Sequence, residues 1–114
     1  MVGDVNGKDV LIIDDMIDSG GTLQEAVAAL RQHGAKSITA YCCHPLLSNP
    51  ATERISGMGI TVAGTDTISH TESYLKGNRW FTQLSVANIF AEAIFNIHTN
   101  RSVSKLIDEL QHMN

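Results

Sequence analysis

The stretch that most constrains the fold runs from residue 10 to residue 42. Val10-Leu11-Ile12-Ile13 is a short run of β-branched and leucine residues between polar positions. Such a run predicts a strand buried on both faces, as in a parallel sheet. Asp14-Asp15-Met16-Ile17-Asp18-Ser19-Gly20-Gly21-Thr22 follows at once and reads as a turn-rich loop. Leu23, Ala26, Val27 and Leu30 then fall at helical spacing on one face. His33-Gly34 ends that helix, with Gly34 placed as its C-terminal cap. Ser37-Ile38-Thr39-Ala40-Tyr41-Cys42 is a second strand. Strand, helix, strand is one βαβ unit, which implies parallel strands and a right-handed crossover. The expected class is α/β, a mainly parallel sheet flanked by helices, and 114 residues make one domain of it.

The remainder continues the alternation. Residues 51–58 read as a short helix with Ile55 inward, 59–64 as a third strand and 80–84 as a fourth. Residues 66–78 are polar and irregular, and Trp80 and Phe81 belong to the core or an interface. Residues 86–98 give the clearest helix, with Val86, Ile89, Phe90, Ala93, Ile94 and Ile97 as a continuous stripe expected in the core. Beyond residues 101–104, Leu106, Ile107 and Leu110 mark a short amphipathic segment.

Charge narrows the function. The net charge is −4, which counts against a general nucleic-acid binder. Residues 1–30 hold six acids and one base, so the whole acidic excess lies in the first quarter. No apolar run approaches the ~20 residues that span a bilayer. The first residues lack the basic start and apolar stretch of a secretory signal. Cys42 and Cys43 are adjacent and match no metal spacing. They read as reduced, small core residues of a cytoplasmic protein.

The acidic loop carries the chemistry. Ligands of open α/β sheets sit at the carboxyl ends of strands, where Asp14 and Asp15 fall. Ser19-Gly20-Gly21-Thr22 stands where the chain enters the helix. The two glycines open backbone angles denied to other residues, and the helix N-terminus and two hydroxyls add donors. Together they make a phosphate cradle. Carboxylates accept hydrogen bonds and suit sugar hydroxyls, or a Mg²⁺ that the hydroxyls also touch. Acids followed by amides therefore match a sugar phosphate in the same order. Lys8 is the only base near this loop in the sequence.

The same residues resemble a known family. Residues 10–23 resemble the phosphoribosyl-pyrophosphate loop of the type I phosphoribosyltransferase fold, and most closely that of the ribose-phosphate pyrophosphokinases. Asp4-Val5-Asn6-Gly7-Lys8-Asp9 is similar to that family's preceding hairpin, and Ala51-Thr52-Glu53-Arg54-Ile55 to its following helix. Leu84-Ser85-Val86-Ala87, Ala91-Glu92-Ala93-Ile94 and Ile97-His98 resemble its last strand and helix. Arg101-Ser102-Val103-Ser104 resembles its C-terminal signature. The resemblance implies the C-terminal part of an oligomeric enzyme that moves pyrophosphate from ATP to the 1-hydroxyl of ribose 5-phosphate, with Mg²⁺, for nucleotide biosynthesis. It implies that Asp14 and Asp15 meet the ribose hydroxyls directly or through Mg²⁺. It assigns Asp18, Ser19, Gly20, Gly21 and Thr22 to the 5-phosphate. It places Ser102, Val103 and Ser104 in a regulatory site for ADP or phosphate between subunits.

Two positions depart from the family pattern: His44-Pro45 and Ser48-Asn49 stand where it often has His-Gly and Ser-Gly. The family's ATP site, its metal-binding His and its flexible Lys/Arg loop lie N-terminal to the matching segment. The chain alone is therefore expected to hold ribose 5-phosphate without turning it over. Two other readings stay open: a transferase that uses phosphoribosyl pyrophosphate to make nucleotides, and a non-catalytic module that keeps the sugar-phosphate loop.

Overall fold

The computed structural model describes residues 3–112. Strands and helices run β1 (Asp9–Ile17), α1 (Gly21–Gln32), β2 (Ser37–Pro45), α2 (Ala51–Ser56), β3 (Thr61–Thr65), α3 (Glu72–Gly77), β4 (Phe81–Leu84), α4 (Ala87–His98) and α5 (Val103–Gln111). They divide into two compact units, one ending at Leu84 and the other beginning at Ser85.

In the first unit the strands form one all-parallel sheet in the order β1-β2-β3-β4. Each crossover steps one strand over in the same direction. Right-handed crossovers then place α1, α2 and α3 on one face. Strand residues alternate between faces, and Ile38, Ala40, Cys42, Val62 and Phe81 join Leu23, Val27, Ala51 and Ile55 in a single buried cluster. The opposite face carries Leu11 and Ile13, 59% and 70% exposed. This corrects the expectation of a strand buried on both faces. An apolar run shows what a strand offers, not what covers it, and sequential strand order leaves one face without a crossover helix.

The element boundaries shift for identifiable reasons. β1 continues through Ile17, so Asp14 and Asp15 are strand residues, not loop residues. The ladder holds them: Asp14 pairs with Cys42, Met16 with His44 and Ile17 with Pro45. The same pairing carries β2 through His44 and Pro45. β3 starts at Thr61 because Gly59 takes φ +69°, which an extended strand does not accommodate. Residues 66–78 contain α3, whose N-terminus is capped by the Thr71 hydroxyl accepting from the Tyr74 N–H at 3.1 Å. Its six residues are too few to show a periodicity.

α1 forms as its spacing predicts, with Leu23 and Val27 buried. It ends in a left-handed Gly34 at φ +85°, where the Ala35 N–H donates back to the Leu30 carbonyl at 3.1 Å. A side chain at Gly34 would run into Asn6. Phe81 is buried and Trp80 packs partly buried against the core. Cys42 is fully buried, but Cys43, the next residue along β2, is exposed, so only one of the pair is a core residue. Burial pushes the Cys42 thiol up to about 11.

The second unit holds α4 and α5. α4 forms from Ala87, with Val86 as its N-cap. None of its residues is buried, and Ile89, Phe90, Ile94 and Ile97 are exposed. The stripe is therefore a helix face as predicted, but not core among the described residues. In α5 Leu106 is buried and Ile107 exposed.

Candidate functional site

A cavity of about 260 Å³ opens at the carboxyl end of β1. That lies near the lower end of the range for small-molecule sites, roughly 300–1,000 Å³. Asp14, Asp15, Asp18, Ser19, Gly20, Gly21 and Thr22 all line it, backed by Ile12, Ile17, Leu23, Ala26 and Ala40. The structure thus brings the seven residues of the acid-and-glycine string to one place.

The acids wall one side. Asp14 Oδ1 accepts from the Asp15 N–H and Asp15 Oδ1 from the Met16 N–H, each at 2.8 Å. The Asp14 side chain, and after it the Met16 amide, hold the Asp15 carboxyl below the ordinary carboxylate range. Both groups are exposed and keep further lone pairs for a ligand.

The other side is the start of α1. Gly20 is its N-cap in the left-handed region, φ 82° and ψ 3°. No side chain caps this helix and its first turn holds no acid. The first regular bond here is the Gln24 N–H to the Gly20 carbonyl at 2.9 Å. The amides ahead of it face the cavity end of the helix, with the positive end of the helix dipole. The two glycines differ in what they do. Gly20 is needed for its backbone angle, whereas Gly21 is helical.

The structure supplies a cation that sequence proximity misses. Arg54, on α2, donates from Nη1 to the Ser19 carbonyl at 3.0 Å. Lys8, the base nearest in sequence, precedes β1 at its other end, roughly 20 Å away at ~3.3 Å per residue. The sequence signals for Arg54 are the short helical pattern of residues 51–58 and the likeness of residues 51–55 to the family's helix after the loop, and neither places it beside Ser19.

Other polar residues make local hydrogen bonds. His44 Nδ1 and Thr67 Oγ1 are hydrogen-bonded at 2.7 Å. His70 Nε2 donates to the Pro45 carbonyl at 2.7 Å, and its ring stacks on Tyr74 with centroids 4.7 Å apart. In the second unit, the Ser102 hydroxyl caps α5 by accepting from the Lys105 N–H at 3.1 Å. Ser102 and Arg101 also line a groove beside Lys105, Glu92 and Glu109, while Val103 and Ser104 do not.

An all-parallel sheet with such a cavity at its carboxyl edge defines a ligand-binding α/β domain. The chain resembles the ribose-phosphate pyrophosphokinases of Shewanella oneidensis, at 42% identity over 107 residues, and Halalkalibacterium halodurans, at 46% over 109. These matches cover 93% and 95% of this chain. The phosphoribosylpyrophosphate synthetase of Mycobacterium smegmatis superposes with a TM-score of 0.80 at 41% identity, over 87% of this chain. The chain belongs to the family described as the phosphoribosyl synthetase-associated domain, whose model matches residues 1–108. It spans about a third of the length of these relatives: 34% of the two sequences and 33% of the solved chain.

Proposed function

We propose that this chain is the ribose 5-phosphate-binding part of a ribose-phosphate pyrophosphokinase, an enzyme that transfers pyrophosphate from ATP to the 1-hydroxyl of ribose 5-phosphate for nucleotide biosynthesis. One observation carries the reading: seven residues, acids first and helix-terminal amides second, line one small cavity. Asp14 and Asp15 take the ribose hydroxyls. Asp18, Ser19, Gly20, Gly21 and Thr22 take the 5-phosphate through backbone and hydroxyl donors. The shared name of the relatives favours this reading over a nucleotide-forming transferase or a non-catalytic module.

Mg²⁺ fits the acid wall as a partly hydrated ion. Among the described residues no three His, Cys, Asp or Glu side chains gather into a metal site. Mg²⁺ does not need such a cage, since it binds through one or two carboxylates plus waters and substrate oxygens. Asp14 and Asp15 would hold it, and the ion would supply charge stabilisation to the reacting oxygens. Transfer of phosphates also needs cationic groups, and among the described residues no Lys or Arg lines the cavity. We therefore assign turnover, and the ATP site, to the longer protein. The C-terminal place within it, the subunit-interface anion site at Ser102, Val103 and Ser104, a homo-oligomeric state and a cytoplasmic location rest on the resemblance. No helix among the described residues is long and apolar enough to cross a membrane.

Calorimetric titration tests the reading. The chain is expected to bind ribose 5-phosphate with Mg²⁺ present, and Asp14→Ala to weaken it. The same variant should not weaken binding of inorganic phosphate, which has no hydroxyls for the carboxylate. Equal affinity of the variant and the parent chain for ribose 5-phosphate would overturn the assignment.

A further inference from the structure

The loop that would hold the phosphate rests directly on α2. A methyl group at Gly20 would stand 3.5 Å from the Ala51 Cα and 3.8 Å from an Ile55 side-chain carbon. Ala51 and Ile55 are both fully buried, so this helix is a fixed floor for the loop. Arg54 rises from the same helix, half-buried. Its Nη1 is bonded to the Ser19 carbonyl and would lie 3.4 Å from a methyl group at Gly21. Among the described residues the guanidinium makes no ion pair. Among the described residues a full positive charge therefore stands behind the two glycines without an ion-paired carboxylate, next to a loop that belongs to the most acidic quarter of the chain.

Resting on the functional reading above, we propose that Arg54 is the positioning residue of the phosphate end of this cavity. A cradle of N–H groups works only if its carbonyls point elsewhere, because a carbonyl oxygen facing an anion repels it. Arg54 holds the Ser19 carbonyl on the α2 side of the loop, away from the ligand. Its charge adds to the helix dipole from behind, without touching the ligand. The planar guanidinium has further N–H donors that a lysine ammonium cannot place in the same fork. Arg54 also supplies the cation that an acidic cavity needs if it is to receive a phosphorylated sugar.

The test uses Arg54→Gln and Arg54→Lys in the whole chain, with ribose 5-phosphate and inorganic phosphate titrated at several salt concentrations. Loss of one charge-assisted contact predicts affinity about tenfold weaker in Arg54→Gln for both ligands, since the residue acts at the phosphate end alone. The salt dependence of binding should flatten in Arg54→Gln and be kept in Arg54→Lys, with the lysine variant intermediate in affinity. A merely structural role would leave the salt dependence of folded protein unchanged. If the parent chain binds ribose 5-phosphate and folded Arg54→Gln binds it equally well, the Arg54 role is overturned and the site stands. Should Arg54→Gln fail to fold, unchanged affinity in Arg54→Lys overturns the role in the same way. If the parent chain binds neither ligand, the site itself fails, and this role with it.

Discussion

Gly20 and Gly21 look interchangeable in the sequence, and the structure separates them. Gly20 sits at φ +82°, where an alanine Cβ meets its own backbone at a cost of roughly 1–2 kcal/mol. Its surroundings add nothing, since the nearest atoms to a new methyl would be 3.5–3.8 Å away. Alanine also narrows the unfolded chain, returning about 0.4–1 kcal/mol. Gly20→Ala should therefore destabilise the chain by about 1 kcal/mol. Gly21 is helical, so the same substitution keeps the entropic gain without strain. Its one close neighbour, Arg54 Nη1 at 3.4 Å, is the end of a flexible side chain that can shift. Gly21→Ala should stabilise by about 0.5 kcal/mol. In urea titrations with slopes of ~1–3 kcal/mol/M, the two midpoints then move in opposite directions, by some tenths of a molar unit. Midpoints that fall together, or a larger loss in Gly21→Ala, would refute the assignment of left-handed strain to Gly20 alone.

Cys43 should be alkylated quickly by iodoacetamide in native protein and Cys42 slowly, as Cys42 is buried with its thiol pushed up to about 11; equal labelling rates by mass spectrometry would contradict the packing of β2. Asp15, held below its ordinary 3.8, contributes stability that is complete above that value and is lost as pH falls through its lower folded value. Asp15→Asn should therefore show a smaller loss of stability than the parent chain between pH 5 and pH 2 (roughly the span of that titration) in urea midpoints; parallel curves would remove the role given to Asp14 and Met16.

Much of this arrangement is legible in the residues, and the illegible parts share a cause. The helical face of Leu23 and Val27, the stop at Gly34 and the four strands follow from periodicity and turn chemistry. Asp14 and Asp15 read as loop because acids are depleted in strands, yet the ladder to β2 carries them. α3 is short enough that its only sign is the cap at Thr71. Arg54 is 35 residues from Ser19, and nothing local shows that α2 lies under the loop. The stripe on α4 and the run in β1 gave the right elements and the wrong degree of burial. Periodicity records which side of an element is apolar, whereas coverage depends on partners distant in the chain.

The sequential strand order has a consequence for how this unit behaves in solution. A singly covered parallel sheet is thermodynamically half of a sandwich. Its folding removes less apolar surface from water per residue than a doubly covered sheet of the same size, so its heat-capacity change on unfolding is smaller and its stability curve flatter. Leu11 and Ile13 add to this at an edge strand whose outer hydrogen-bonding groups are unpaired in the sheet. One margin of the unit thus joins an apolar face to an edge whose backbone groups are able to extend the ladder.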